Sequence, residues 1–202
     1  LSKSVWQRKA LAKTIKKRPG IKIEKLSKAM PKKQFRGKLL TFQKMGLDFL
    51  LKSSGNALLA DDMGLGKTVQ TLAYIASEKQ SSPTLVIAPL VTLTNWQREI
   101  EKFMKKKSKN GRLIDNDTPT ITTIRTGKQK ELGNYDFYLI NYELLYKRQI
   151  DLSKLNIKTL VCDEVQHLRS KTTQKYRAIK KISAMKSIKY RVGLSGTPIY
   201  NH

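Results

Sequence analysis

The sequence contains very little cysteine and no long apolar run, and both shortages exclude classes of protein. Cys162 is the only cysteine in 202 residues, so a disulfide framework is impossible and a reducing setting is expected. No apolar run approaches the roughly 20 residues that cross a bilayer, and the N-terminal residues lack the apolar core of a signal peptide. We therefore expect an intracellular protein, in the cytoplasm, nucleoid or nucleus, without a membrane partner.

Acidic residues are also scarce. The chain has 15 Asp and Glu residues against 41 Lys and Arg residues, which leaves a formal net charge of +26. Solubility of a small domain requires a net charge of only about 2–8. A field this strong attracts polyanions, and binding to nucleic acid would weaken as salt rises. Lysines that are merely solvated are the alternative, but the excess favours a polyanionic partner.

Residues 1–38 are strongly basic, with Glu24 as their only acid. A helical pattern of apolar residues breaks at Pro19, and a second short pattern ends at Pro31. We expect a basic helical accessory segment, which is either an arm that binds nucleic acid or a solvated packing appendage.

From Leu39 onward, short apolar runs alternate with helical patterns. The expected strands are 57–60, 85–88, 120–124, 137–140, 159–162 and 191–194. The expected helices are 39–53, 68–77, 92–104, 142–148 and 173–183. This alternation is typical of a parallel sheet covered on both faces. Residues 39–202 are therefore expected to form an α/β domain whose ligands bind beyond the carboxyl ends of the strands.

Residues 61–68, with the sequence DDMGLGKT, lie between an expected strand and an expected helix. Gly64 and Gly66 allow the backbone to curl so that its N–H groups point at one anion, and the helix N-terminus adds partial positive charge. Lys67 can reach the β- and γ-phosphates, and the Thr68 hydroxyl can hold Mg²⁺. Asp61 replaces the first glycine of the usual GxxxxGK(S/T) pattern, but the strand–loop–helix context still predicts a nucleotide phosphate site.

Two adjacent acids, Asp163 and Glu164, end the apolar run 159–162. Carboxylates buried at a strand end are costly without a nearby cation. A magnesium–nucleotide pair explains them, because Asp163 can orient Mg²⁺, directly or through water, while Glu164 polarises the attacking water. A surface turn with two acids is the structural alternative. His167 is a candidate sensor of the phosphate state, although a lone histidine is more often structural.

A glycine- and hydroxyl-rich turn, GLSGTP at 193–198, follows the last expected strand. Ser195 and Thr197 can hydrogen-bond toward the acid pair and relay the nucleotide state to a neighbouring domain, with Gly196 between them. An ordinary turn at a strand end is the alternative.

These motifs, in this order, resemble those of superfamily 2 helicase-like ATPases, and more narrowly the Swi/Snf-like branch, which hydrolyses ATP to translocate on double-stranded DNA. The resemblance covers residues 39–202. It is carried by Gln43, DDMGLGKT at 61–68, DEVQH at 163–167 and LSGTPIYN at 194–201, together with VIAPL at 86–90, NW at 95–96 and LINYELL at 139–145.

The resemblance implies a three-layer RecA-like P-loop domain with a mainly parallel central sheet, and ATP and Mg²⁺ as cofactors. Lys67, Asp163 and Glu164 would be catalytic, with Thr68 and Asp163 at the metal. Gln43 would read adenine. The implied nucleotide-binding residues are Gln43, Asp62, Met63, Gly64, Leu65, Gly66, Lys67 and Thr68. The implied coupling residues are His167, Ser195, Gly196 and Thr197. The implied nucleic-acid contacts are Pro89, Thr92, Asn141 and Tyr142.

The function expected from the resemblance is ATP hydrolysis coupled to movement on double-stranded DNA. Family members close a second RecA-like lobe over the nucleotide and supply arginine fingers from it, so residues 39–202 would be the first lobe alone. An arginine finger is worth about 10³–10⁵ in rate, and the isolated chain should turn over ATP poorly. The alternatives are an RNA helicase of the DEAD/DEAH type and a basic nucleic-acid-binding module with a non-catalytic ATP fold.

Overall fold

A computed structural model of the chain describes residues 35–78, 80–104, 119–127 and 131–196. Helices separate most of the strands along these ranges, as predicted. The helices are α1 (Thr41–Lys52), α2 (Lys67–Ser77), α3 (Leu90–Met104), α4 (Tyr142–Ser153) and α5 (Gln174–Ser183), with a short 3₁₀ helix at Val165–Leu168. The strands are β1 (Asn56–Leu59), β2 (Thr84–Ala88), β3 (Ile121–Ile124), β4 (Phe137–Asn141), β5 (Thr159–Cys162) and β6 (Tyr190–Leu194).

The described strands form one six-stranded sheet in the order β1-β6-β5-β2-β4-β3, and all neighbouring pairs are parallel. The central strands β2, β4 and β5 are buried along their whole length, which explains their unbroken apolar sequences. By contrast, β1 lies at the edge of the sheet and Leu58 is 45% exposed. Because every strand runs in the same direction, all six carboxyl ends lie at one edge of the sheet.

Helices cover both faces of the sheet, which confirms the predicted three-layer α/β architecture. Side chains alternate between two cores along β4, since Phe137 and Leu139 face one cluster while Tyr138 and Ile140 face the other. The first core is completed by side chains of α1, α2 and α3, and the second by side chains of α4 and α5. No helix in the described ranges has the length and apolar character that a membrane span requires.

Most element boundaries agree with the predictions to within two residues, but the predicted end of α4 at Arg148 was wrong. The helix continues to Ser153. Apolar residues are absent from positions 147–149, yet Arg148 is 2% exposed and its Nε lies 3.2 Å from an Asp151 carboxylate oxygen. The buried stripe then resumes at Leu152.

The first described residues pack against the domain. The rings of Phe35 and Phe103 stack with centroids 5.5 Å apart, and the Arg36 N–H donates to the Phe103 carbonyl at 2.8 Å. Phe35 is thus part of the first core, although it falls within the predicted accessory segment. The remainder of that segment, residues 1–34, lies outside the described residues, and the domain boundary stays a prediction.

The contribution of the first core to stability can be tested by mutation. Ile100 on α3 is fully buried, and Ile150 on α4 is 68% exposed. We expect Ile100→Ala to lower the free energy of unfolding by about 2–5 kcal/mol, because it removes packed methyl groups and leaves a cavity. Ile150→Ala removes the same atoms from a helix surface and should change it by no more than about 0.5 kcal/mol. Urea unfolding measures both variants, and equal losses would contradict the packing described here.

Candidate nucleotide-binding site

The predicted motifs meet at the carboxyl edge of the sheet. Strands β1, β6 and β5 are neighbours, so the loops that follow them lie side by side. The loops after β1 and β5, together with residues of α1, α2 and α3, line an open cleft of about 420 Å³, a size within the range of small-molecule sites. Residues that line the cleft include Gln43, Met63, Gly64, Gly66, Lys67, Thr68, Asn95, Glu99, Asp163 and Glu164.

The loop between β1 and α2 has the tight curvature expected of a phosphate-binding loop. Gly64 and Gly66 both adopt left-handed backbone conformations, with φ of 80° and 76°, and Gly66 is the N-cap of α2. A Cβ atom on Gly66 would lie 2.6 Å from the Gln43 amide nitrogen. Glycine is therefore required there both by the backbone angle and by the close approach of Gln43.

Lys67 begins α2 and is only 9% exposed. Its Nζ donates to the carbonyls of Asp61 at 2.8 Å and Asp62 at 3.2 Å, which holds the ammonium group across the loop. Gln70, one turn further along α2, is fully buried and donates to the Asp61 carboxylate at 2.9 Å. The sequence reasoning missed Gln70. Its position one helical turn after Lys67 was the available signal, since such residues lie on the same face.

Gln43 links α1 to the same loop. Its side-chain oxygen accepts from the Leu40 N–H at 3.0 Å, and its amide nitrogen donates to the Leu65 carbonyl at 3.3 Å. The structure therefore brings Gln43 to the cleft, as its predicted role requires. The reading of adenine by this side chain stays a prediction.

Asp163 is the most enclosed acid of the site, with 9% exposure. One carboxylate oxygen accepts from the Trp96 indole N–H at 2.9 Å, and the other accepts from the Glu164 N–H at 3.0 Å. Burial raises the pKa of Asp163, and the nearby Glu164 adds to the rise, whereas the hydrogen bond from Trp96 and the charge of Lys67 oppose it. The net shift is upward, as expected for a carboxylate that lacks a full countercharge.

The donor set suits Mg²⁺ held together with a nucleotide. Mg²⁺ in such sites is usually bound by one or two carboxylates and by phosphate oxygens, with water completing the shell. Asp163 and Glu164 supply carboxylates, and Thr68 at the first turn of α2 supplies a hydroxyl on the same cleft. The described part of the chain has no group of three or more His, Cys, Asp and Glu side chains placed to hold a metal unaided. A site that shares the ion with phosphates fits these residues.

Glu164 is linked to the residue that follows the last strand through the side chain of Gln166. Its backbone is left-handed, with φ of 52°, a conformation that costs a residue with a side chain about 1–3 kcal/mol. The Gln166 amide donates to the Glu164 carboxylate, and the Gln166 side-chain oxygen accepts from the Ser195 hydroxyl at 3.0 Å. Ser195, Gln166 and Glu164 therefore form a relay between β6 and the acid pair. The sequence reasoning missed the role of Gln166.

His167, the predicted sensor, lies outside this relay. It is exposed, and its ring stacks on the Tyr142 ring with centroids 5.4 Å apart. Gly196 lies close to the phosphate loop, because a Cβ there would be 2.6 Å from the Met63 Cγ and 3.7 Å from the Lys67 Nζ. Thr197 lies outside the described residues.

The predicted nucleic-acid contacts fall into two groups. Pro89 and Thr92 lie at the start of α3, where Leu90 and Val91 are 58% and 87% exposed. By contrast, Asn141 caps α4 by accepting from the Leu144 N–H at 2.9 Å and is 7% exposed.

Tyr142 is 1% exposed, and its hydroxyl donates to the Asp163 carbonyl at 2.6 Å. The buried positions of Asn141 and Tyr142 argue against nucleic-acid contacts through their side chains. The contacts of Pro89 and Thr92 stay predictions.

Comparisons with known proteins identify the family. The SNF2-related domain matches residues 42–202. YwqA of Bacillus subtilis, a candidate ATP-dependent helicase/translocase, is 34% identical over 182 residues, which cover 83% of this chain and 18% of that protein. The SWI/SNF chromatin-remodeling complex subunit snf22 of Schizosaccharomyces pombe is 34% identical over 173 residues, covering 82% of this chain and 10% of that protein.

A solved structure, the Sulfolobus solfataricus SWI2/SNF2 ATPase core in complex with dsDNA, superimposes with a TM-score of 0.63 and 32% identity. The match covers 82% of this chain and 33% of that one, and it confirms the RecA-like ATPase-core fold. The chain thus spans a minor part of the length of its relatives. From its motifs, its sheet and these matches, the chain belongs to the SNF2-related domain family.

Proposed function

We propose that this chain is the ATP-binding lobe of a motor that couples ATP hydrolysis to movement on double-stranded DNA. The observation that supports this most is the meeting of Lys67 and Thr68 with Asp163 and Glu164 at one cleft. Phosphoryl transfer depends on positioning and electrostatics rather than covalent chemistry, and these side chains supply both. Residues 39–202 are the lobe in this proposal, and residues 1–38 are a basic accessory segment.

Each residue of the cleft has one task in the hydrolysis that we propose. Backbone N–H groups of the loop that ends at Gly66 bind phosphate oxygens, and Lys67 leaves its loop carbonyls to bind the β- and γ-phosphates. Thr68 and Asp163 would hold Mg²⁺, partly through water, and a bound ion would offset negative charge on the phosphates. Glu164 orients the attacking water and accepts its proton, while Gln43 binds the adenine.

Double-stranded DNA is the proposed polyanionic partner. The net charge of +26 supports it, as does the surface position of the α3 N-terminus at Pro89 and Thr92. Helix N-termini offer N–H groups and partial positive charge to a phosphate. The complex of the Sulfolobus relative with dsDNA gives this partner precedence over RNA, and such a partner implies an intracellular location.

A second RecA-like lobe is the other proposed partner. Met63 is 72% exposed at the mouth of the cleft, and Asp62 and Gly64 beside it are also exposed. A lobe that closes there would cover bound nucleotide and bring in arginine side chains. The Ser195–Gln166–Glu164 relay would then report the nucleotide state to β6 and the chain that follows it.

The nucleotide site can be tested with two variants and a matched lysine control. Lys67→Ala should weaken ATP binding at least about tenfold, because a charge-assisted contact contributes about 1.5–3 kcal/mol. Glu164→Gln should keep ATP binding but lower turnover of the full-length protein by about 10²–10⁴, as loss of a general base does. Calorimetry and steady-state ATPase measure the two effects.

Lys52→Ala is the control, since the Lys52 side chain is 70% exposed and pairs with Asp48 on α1. It should change neither quantity. Full activity of both site variants would support the non-catalytic module instead.

Duplex binding gives a second test. Affinity for a short DNA duplex, measured by fluorescence anisotropy, should fall steeply with salt, and structured RNA should compete weakly. Thr92→Ala should weaken binding about 3–10-fold, the value of one neutral hydrogen bond, and leave the salt slope unchanged. Thr94→Ala removes an exposed hydroxyl from another face of the same helix and should have no effect. Affinity that is independent of salt, or higher for RNA, would contradict a duplex-DNA partner.

The relay can be tested through Ser195. Ser195→Ala removes the hydroxyl that donates to Gln166. We expect ATP affinity to stay within about twofold and DNA-stimulated ATPase of the full-length protein to fall about 3–10-fold, because one neutral hydrogen bond on the coupling route is lost. Ser183→Ala, which removes a hydroxyl bonded to the Lys180 carbonyl at the end of α5, is the control. Equal behaviour of the two variants would argue against the relay.

A further inference from the structure

We propose that Trp96 is a positioning residue for the metal acid Asp163, an inference that rests on the proposed function. Trp96 is fully buried on α3, so it can touch neither substrate nor solvent. Its indole N–H nevertheless donates to a carboxylate oxygen of Asp163, directly after β5, at 2.9 Å. Trp96 can therefore influence the site through its packing in the first core or through this hydrogen bond to Asp163, and the variants below separate the two.

The two hydrogen bonds on Asp163 fix the plane of its carboxylate. The terminal torsion of an aspartate is intrinsically broad, so an unrestrained carboxylate samples many orientations. Here the Trp96 N–H holds one oxygen and the Glu164 N–H holds the other. A carboxylate has about four lone-pair sites, so each oxygen keeps a free site for the metal or its water. The plane is set before the ion arrives.

An indole suits this task better than a charged donor. It donates one hydrogen bond and carries no charge, so it orients Asp163 without neutralising the negative charge that attracts Mg²⁺. A lysine or arginine at the same place would compete with the ion. The large apolar ring also packs in the first core, which fixes the donor itself.

The structure also explains how the indole reaches the acid. Strands β2 and β5 are neighbours in the sheet, with Ile87 paired to Cys162. The chain leaves β2 at Ala88, turns at Pro89 and forms α3, while Asp163 directly follows β5. Trp96, on the helix that follows β2, therefore lies beside Asp163, which follows β5. The distance between the two side chains depends on the parallel register of these two strands.

The test measures Mg²⁺ dependence of nucleotide binding rather than turnover. ADP binding to the full chain is followed by calorimetry at a series of free Mg²⁺ concentrations. Trp96→Phe, and benzothienylalanine at position 96 as an isostere without the N–H, should raise the Mg²⁺ concentration for half-maximal binding about 10–100-fold, as loss of partners to metal ligands does. ADP binding without Mg²⁺ should not change.

Tyr138→Phe is the matched control. Tyr138 is also a buried aromatic residue, and its hydroxyl donates to the Gly133 carbonyl at 2.7 Å, at the opposite end of β4 from the site. The variant loses this hydrogen bond and the one that the same hydroxyl accepts from the Tyr135 N–H at 3.0 Å, and it should leave the Mg²⁺ midpoint unchanged.

A spectroscopic readout needs no change at Trp96. The chain has two tryptophans, so Trp6→Phe leaves Trp96 as the only indole. Addition of Mg²⁺ with ADP should shift its emission, and Asp163→Asn should abolish the shift. This measurement decides the matter even if Trp96 variants fold poorly.

The outcomes separate this inference from the proposed function. Mg²⁺-dependent ADP binding in the wild type, with an unchanged midpoint in both position-96 variants or an equal change in Tyr138→Phe, would overturn the role of Trp96 alone. Trp96 emission that does not change when Mg²⁺ and ADP are added would also overturn the role of Trp96. Absence of Mg²⁺-dependent binding in the wild type would overturn the proposed function and this inference together.

Discussion

The structure depends on keeping a carboxylate ionisable at the end of a central buried strand. Asp163 is 9% exposed, and removal of a carboxylate from water is costly unless hydrogen bonds or cations replace the lost solvation. The parallel sheet places hydrogen-bond donors beside the acid pair. Strands β2 and β6 flank β5, so α3 after β2 and the turn at Ser195 after β6 both lie next to Asp163 and Glu164. Two N–H donors then hold Asp163, and its pKa still lies above the usual range because burial dominates. Such a group retains a strong attraction for a cation.

The strained backbone of the site lies at Glu164, directly after Asp163. Glu164 adopts a left-handed backbone, and the following 3₁₀ helix at Val165–Leu168 turns the chain sharply. This bend points the Gln166 side chain back toward Glu164 and Ser195, where it bridges the two. A relaxed extended residue at Glu164 would direct Gln166 elsewhere. Strain of this kind persists only where the surroundings over-determine it, and here the Gln166 bridge and the Asp163 bond to the Glu164 N–H supply that constraint.

Most of the fold and the main site residues could be predicted from the sequence, because strand periodicity and the loop glycines are local signals. The positions of Lys67, Asp163 and Glu164 at one cleft followed from the rule that parallel strands share a carboxyl edge. Gln166 and Trp96 could not be placed, since each acts through a tertiary partner that local pattern does not reveal. Gln70 was missed although its spacing from Lys67 was a local signal. In a sequence, a tryptophan among apolar residues is interpreted as part of the hydrophobic core. The direction of its N–H depends on the register between β2 and β5.

The position of α3 has a mechanical consequence for coupling. Thr92 lies in its first turn and Pro89 directly before it; both are proposed contacts to DNA. Trp96 lies one turn after Thr92 on the same face. A helix is stiff over so short a distance, so displacement of its N-terminus by a bound phosphate would be felt at the indole N–H. Movement of about 1 Å at a catalytic group can change a rate about 10²-fold. The Ser195–Gln166 relay acts on Glu164 from β6, whereas α3 acts on Asp163 from β2. The two acids are thus held from opposite sides of β5. Under the proposed function, nucleotide state and DNA contact would act on the same site by separate routes.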